Sequence, residues 1–184
     1  MPTKFLPQNK NYKNLIVYQK AECIYDITFH FAHKYLSKGD RTIDQMIQAA
    51  RSGKQNIAEG SAASTTSKET ELKLTNVAKA SLLELLADYE DYLRVRKLQQ
   101  WPTDSEKSIR TRAVCKKHSE SEFYRDAIAI RNDETIANIA ITLIHQTDLL
   151  LRNLIEHQKS EFLKNGGIKE EMYKARMDWR KNHQ

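Results

Sequence analysis

Leu74-Thr75-Asn76-Val77-Ala78-Lys79-Ala80-Ser81-Leu82-Leu83-Glu84-Leu85-Leu86-Ala87-Asp88-Tyr89-Glu90-Asp91-Tyr92 is the most clearly periodic stretch of the chain. Leu74, Ala78, Ser81, Leu85, Tyr89 and Tyr92 recur at steps of three and four, with Val77, Leu82 and Leu86 beside them. That spacing places one apolar stripe on an α-helix, because a strand would alternate every second residue. Thr66 with Glu69 fits a capping box at the start of this helix. It is expected to run to Gln99, about 45 Å at 1.5 Å per residue, until Trp101-Pro102 breaks it.

On the N-terminal side, Val17, Ala21, Ile24, Thr28, Phe31 and Tyr35 form a second stripe, flanked by Tyr18, Tyr25 and Ala32, and Gly39 is its expected stop. A second helix is expected from Thr42, with Thr42 and Gln45 as capping box, a buried row of Ile43, Met46, Ile47, Ala50, Gly53 and Ile57, and Gly60 as its end. On the C-terminal side, residues 103–131 are charged and weakly periodic and read as one helix from about Ser105 to Ala129. Asn132-Asp133-Glu134 opens a further helix with acidic residues where the dipole favours them. Its near-heptad seam runs through Ile136, Ile139, Ala140, Leu143, Thr147, Leu150, Leu151 and Leu154 to Gly166-Gly167. Residues 168–181 form a short helical tail with Met172, Ala175 and Trp179 on one side.

The expected fold is all-α: an antiparallel up-down-up-down four-helix bundle over 12–164, with a helical insertion at about 103–131 between the third and fourth helices. Residues 1–11 form a flexible lead-in and 165–184 a C-terminal extension. Composition agrees, since 5 Gly and 3 Pro in 184 residues are too few for the turns of an all-β chain. Cys23 and Cys115 have no CxxC or Cys/His spacing, which argues against a disulfide framework or a zinc site. The N-terminus carries no apolar signal core, and Thr135–Ile155 holds too many polar residues to span a membrane. The expected location is the cytoplasm.

Enzyme motifs are missing: there is no phosphate-cradling glycine loop, no HExxH and no GxSxG. His30 and His33 are three apart, but no second carboxylate/His pair completes a metal site, so neither metal nor cofactor is expected. Asp88, Glu90 and Asp91 cluster on a face where Glu90 pairs by spacing with Arg94. The unusual segment is 45–60. Gly53 in mid-helix costs about 1 kcal/mol relative to Ala, which close backbone approach would offset. Ala49, Ala50, Ser52 and Gly53 make a small-residue patch, and Gln45, Ser52 and Asn56 make a polar row suited to a buried hydrogen-bond network or an interface.

Ala49-Ala50-Arg51-Ser52-Gly53-Lys54-Gln55-Asn56-Ile57-Ala58-Glu59-Gly60, followed by Ala78-Lys79-Ala80-Ser81-Leu82-Leu83-Glu84-Leu85, resembles a bacterial four-helix-bundle family. That family includes the proteins encoded in intervening sequences of 23S ribosomal RNA genes (S23 ribosomal proteins) and the accessory protein of diversity-generating retroelements. The resemblance covers residues 13–99 well and 132–164 loosely, and Gly166 to Arg176 resembles a suffix carried by one branch. Gln45, Asn56, Glu59 and Gly60 match the family pattern. Ile47 and Gln48 stand where the family commonly has two arginines, and Gly53-Lys54 where it has Ile-Pro. The resemblance implies ring-like homo-oligomers, pentamers in particular, a nucleic-acid or reverse-transcriptase partner, and no enzymatic activity.

The formal net charge is +6. Residues 1–60 hold nine Lys/Arg against five Asp/Glu, and residues 101–131 seven against five, while the other two segments balance. Lys34, Lys38, Arg41, Arg51 and Lys54 in the first region, and Arg110, Arg112, Lys116 and Lys117 in the second, are the candidate phosphate contacts. Three functional expectations follow: a non-catalytic oligomer that binds structured RNA or other nucleic acid through basic patches, a protein-interaction scaffold or accessory subunit for a nucleic-acid enzyme, or an enzyme whose site no motif reveals.

Overall fold

The computed structural model describes residues 11–182, so the lead-in expected at 1–11 lies, apart from Asn11, outside the described residues. Among the described residues the chain is all-α, with no strand. After a short 3-10 turn at Tyr12–Asn14 come α1 (Ile16–Tyr35), α2 (Arg41–Ala63), α3 (Lys68–Val95), α4 (Glu106–Lys117), α5 (Ser121–Ala129), α6 (Asp133–Asn165) and α7 (Ile168–Asn182).

The stripes are where the periodicity puts them, but several ends differ from expectation. Asp40, not Thr42, caps α2, its Oδ1 accepting from Thr42 N at 2.9 Å. Ser67, not Thr66, caps α3, its Oγ accepting from Thr70 N at 3.1 Å. The first helix stops at Tyr35, and Gly39 sits in the following turn with φ +89. Gly60 is no stop, because α2 continues to Ala63. Its bare Cα instead lets α3 approach: a Cβ there would lie 3.3 Å from Glu71 O and 3.4 Å from Leu74 Cβ. The third helix ends before Trp101-Pro102. Leu98 N donates to Leu93 O at 2.9 Å and Lys97 N to Arg94 O at 3.2 Å around Lys97 at φ 57, which is a Schellman stop without glycine. The helix expected over 105–129 is two, broken at His118 to Glu120.

Four long helices pack as neighbours: α2 lies on α1 and α3, and α6 on α3 and α1. Helices α3 and α6 run in opposite senses. Tyr92 Oη donates to Asp133 Oδ2 at 2.8 Å near one end, and Gln158 Nε2 to Thr75 Oγ1 at 3.0 Å towards the other. Between them the core centres on Phe31, whose ring meets Tyr89 at 5.0 Å and Tyr92 at 4.7 Å. The buried Tyr89 hydroxyl is satisfied by Thr28 Oγ1 at 2.9 Å.

The inserted segment is docked along α1 and α6, with α4 on α6 and α5 on α1. Its anchor is Lys20, on the α1 surface under the insertion and only 3% exposed. The Lys20 ammonium donates to Cys115 O and His118 O at the C-terminal end of α4, where the helix dipole favours a cation. Burial lowers the Lys20 pKa, against which the nearby Cys115, Cys23 and Glu120 act. The α3–α4 connection is held by the buried Asn138 amide, which accepts from Trp101 N at 2.9 Å and donates to Gln99 O at 2.9 Å. Helix α7 has no buried residue.

Gly53 belongs to packing inside the chain. A Cβ there would meet Leu82 Cδ2 at 2.6 Å and Cγ at 2.8 Å across the α2–α3 contact. Overpacking of this kind costs about 1–3 kcal/mol, more than the ~1 kcal/mol of helix propensity gained. Gly53→Ala is therefore expected to lower the urea midpoint. In Gly53→Ala/Leu82→Ala the loss should be smaller than the sum of the two single losses; strict additivity would place the collision elsewhere. Lys20→Met is expected to lose about 1–3 kcal/mol by leaving α4 carbonyls without their donor. Limited proteolysis should then cut first within residues 103–131, and an unchanged melt with unchanged cleavage would count against the anchor.

Candidate nucleic-acid interface

The outward side of α1 carries Tyr25, Phe29 and His33, spaced i, i+4, i+8 and so stacked along one face. Ring centroids are 6.3 Å apart for Tyr25–Phe29 and 4.4 Å for Phe29–His33. Phe29 is 49% exposed. The His33 ring is oriented by Nδ1 against Phe29 O at 2.8 Å. Along this row runs an open groove of about 690 Å³, walled on its other side by Arg125 and Ile128 of α5. Lys54 of α2 closes one end of the row, its Nζ 4.6 Å from the Tyr25 centroid. Lys34 lies toward the other end, 3.4 Å from Ala129 O and 5.2 Å from the Tyr35 centroid.

Asp26 is the one carboxylate lining this groove among the described residues. It accepts from Ser121 Oγ and faces Arg125 Nη1 at 3.9 Å, so its charge is engaged in holding α5. His30 lies behind the row with Nε2 buried and without a hydrogen-bond partner among the described residues. Burial, and then the Lys34 charge, lower its pKa, so its ring is neutral.

Of the nine candidate cations, the fold puts Lys34 in the lining of this groove and Lys54 over the Tyr25 ring at the end of the row. Lys38 and Arg41 are exposed at the α1–α2 turn, and Arg51 is exposed on α2. Arg110 is tied to Glu106 at 3.1 Å, Arg112 is exposed, and Lys116 and Lys117 are exposed in the last turn of α4. Arg110 also lines a second cavity, of about 420 Å³, whose other walls include Trp101, Lys107, Phe123 and Arg131. The amide row is local structure: Asn56 Nδ2 donates to Ser52 O at 2.9 Å and Ser52 Oγ meets Ser81 Oγ at 2.9 Å, bridging α2 to α3. Gln45 is exposed on the same groove between α2 and α3, and Glu59 is exposed. Sequence reasoning did not select Phe29 or Arg125. The signal for Phe29 was available, since it falls one residue off the buried row yet continues the spacing of Tyr25.

Among the described residues no three His, Cys, Asp or Glu side chains converge as metal ligands, and no helix is long and apolar enough to cross a membrane. Both thiols are buried. Burial pushes Cys23 up to about 12 and Cys115 up to about 11, so neither is a thiolate nucleophile at neutral pH. Comparison with family models, with curated proteins and with solved structures returns no match.

The two thiols set an alkaline limit. Groups with raised folded pKa values contribute stability below their unfolded values, ~8.5 for cysteine, and lose it as pH climbs through the folded ones. Tyr18, Tyr89, Tyr92 and Tyr124 are raised in the same direction, mainly by burial, whereas the lowered Lys20 acts oppositely. The urea midpoint is therefore expected to fall steadily as pH rises from about 9 toward 12. A flat profile would show that these groups are not buried.

Proposed function

We propose that this protein is a non-catalytic, oligomeric four-helix-bundle protein that binds structured RNA through a basic surface, and that it belongs to the bacterial family its motifs resemble. The four helices of the bundle are α1, α2, α3 and α6, running up-down-up-down, with α4 and α5 as the insertion and α7 as the suffix. The neighbour relations of these helices and the short turns between α1, α2 and α3 support that arrangement. The observation that carries the binding reading is a groove lined by Lys34 and Arg125, with Lys54 over the Tyr25 ring at its end, in which Asp26, paired with Arg125, is the one carboxylate among the described lining residues. Such a surface neutralises phosphates without reading base edges.

The oligomer, a pentamer by resemblance, is part of the same proposal. Ile130 at 90% and Leu163 at 83% exposure are apolar surface of the kind that a subunit contact covers. An accessory-subunit role is the second reading, favoured by α7, where Met172 and Tyr173 are exposed on a helix with no buried residue.

The test is affinity for a hairpin RNA across a salt series. Binding is expected to weaken steeply with salt, and Lys34→Glu/Lys54→Glu to weaken it ten-fold or more while flattening the log–log slope by about 0.7–0.9 per lysine. Lys73→Glu, a single reversal on a lysine paired with Glu69 at 2.8 Å on α3, is compared with Lys34→Glu alone, which changes net charge equally, and should change little. Salt-independent binding, or equal effects of both variants, would exclude the groove as the phosphate contact.

A further inference from the structure

Of the three rings along the α1 groove, Tyr25 packs partly against the core, whereas Phe29 and His33 are exposed. Phe29 adds little to the core, since half of it faces solvent. The groove that Phe29 lines holds two more aromatic rings at its row, Tyr25 and His33, the cations Lys34 and Arg125, and one carboxylate, Asp26, which is paired with Arg125. Lysine and arginine beside open ring faces suit a ligand that is both anionic and flat. A duplex satisfies only half of that description, because its bases are stacked on one another and show the protein only their edges and phosphates. Unpaired nucleotides satisfy all of it, since each carries a phosphate and a base with a free π-face.

Resting on the RNA-binding reading above, we infer that Tyr25, Phe29 and His33 form a stacking platform for unpaired bases, with Lys34, Lys54 and Arg125 holding the phosphates beside it. The groove volume of about 690 Å³ lies within the ~300–1,000 Å³ range of ligand clefts. Lys54 covers one face of Tyr25, so that ring closes the platform, while Phe29 offers the open surface. His33 packs against Phe29 with its ring plane tilted by 40°, so it adds a second face at an angle to the first. Within a structured RNA the ligand is thus a loop, bulge or end, and sequence preference is weak because every base has a face to stack.

The experiment measures anisotropy of a labelled oligouridylate of about 20 nucleotides, long enough for the ~4–16 nucleotides of a single-strand site, and of an RNA duplex of equal length. Wild type, Phe29→Leu, Phe29→Trp and Lys34→Glu/Lys54→Glu are compared. Phe29→Leu keeps the apolar bulk and removes the flat ring. It is expected to weaken oligouridylate binding roughly ten-fold, within the stacking range of a single aromatic contact, and to leave duplex binding unchanged. Phe29→Trp restores the affinity. The inference is overturned if Phe29→Leu binds oligouridylate like wild type, if it loses both RNAs equally, or if tryptophan does no better than leucine. In those cases the lysine variant still reports on the broader reading: loss of both RNAs there keeps the phosphate contact while stacking fails. Wild type that binds neither RNA overturns both. A change in mass by light scattering without change in RNA affinity identifies the face as a protein contact, and that also overturns the inference.

Discussion

The buried ammonium of Lys20 is the constraint on which the functional side of this protein depends. An uncompensated charge in that position is prohibitive, and the compensation comes from backbone carbonyls of a segment almost a hundred residues away. Removing a lysine from water is tolerable only if its protons find acceptors, and the frayed C-terminal end of α4 has acceptors to offer. Each side therefore settles a deficit of the other. Once α4 is fixed at that point the chain can turn at His118, whose carbonyl also accepts Tyr124 Oη at 3.1 Å and whose ring stacks on Phe123 at 3.8 Å. Helix α5 is then laid along α1, where Asp26 takes Ser121 and Tyr35 Oη reaches Arg131 O at 2.7 Å. The wall formed by Arg125 and Ile128 exists because of this chain of contacts, and without it the aromatic row would lie on an open helix surface.

That dependence explains what the sequence could and could not disclose. The stripes of α1, α2, α3 and α6 are legible because a helix that must bury one face writes its period into the chain, and Phe31, Tyr89 and Leu82 lie at the positions the period demands. Helix ends are less legible, because several residue types compete locally for each one. Ser67 displaces Thr66 as a cap, Lys97 adopts the conformation expected of a glycine, and Gly60 serves close packing rather than termination. Lys20 was illegible on principle. A lysine on an amphipathic helix reads as solvent-facing, and its acceptors are backbone carbonyls, which leave no mark in the side-chain sequence. The docking of the insertion is hard to read for a related reason: it is split into two short helices, of which α4 buries only Ser108 and Cys115 and α5 only Tyr124 and Ile128, too few positions for a long period.

The candidate site shows a related limit. Cation counting by segment identifies regions and cannot choose among their members, because which lysines meet is decided by helix rotation and by which helix lies next to which. Lys34 and Lys54 are twenty residues apart and flank one aromatic row, at opposite ends, because α2 returns along α1. Arg110 carries the same charge and is neutralised by Glu106 one turn away. The aromatic row could have been found by asking which large apolar residues the buried stripe leaves over. Phe29 is such a remainder, and a remainder flanked by cations has a narrower meaning than either feature alone.

Charge is also distributed unequally across the molecule, and this bears on how a polyanion would meet it. Helices α1 and α3 do not pack side by side but lie across the core from each other, so their outer faces point in opposite directions. The outer part of α3 carries Glu84, Asp88 and Asp91, and burial, reinforced by the other two carboxylates, raises the Asp88 pKa. Asp91 is paired with Arg94 at 2.6 Å, which leaves Glu84 and Asp88 on that side, while the α1 side carries Lys34, Lys54 and Arg125. Over the width of such a domain this field is largely screened at physiological ionic strength, where the Debye length is about 8 Å. Its effect is confined to biasing the orientation of approach. Retention has to come from contacts shorter than that length. On the proposed reading the α1 groove would supply two kinds, ionic contacts that weaken with salt and ring faces whose attraction for a flat partner does not depend on salt. A surface built from both can hold a flexible anionic chain under conditions where its modest excess of positive charge alone would let it go.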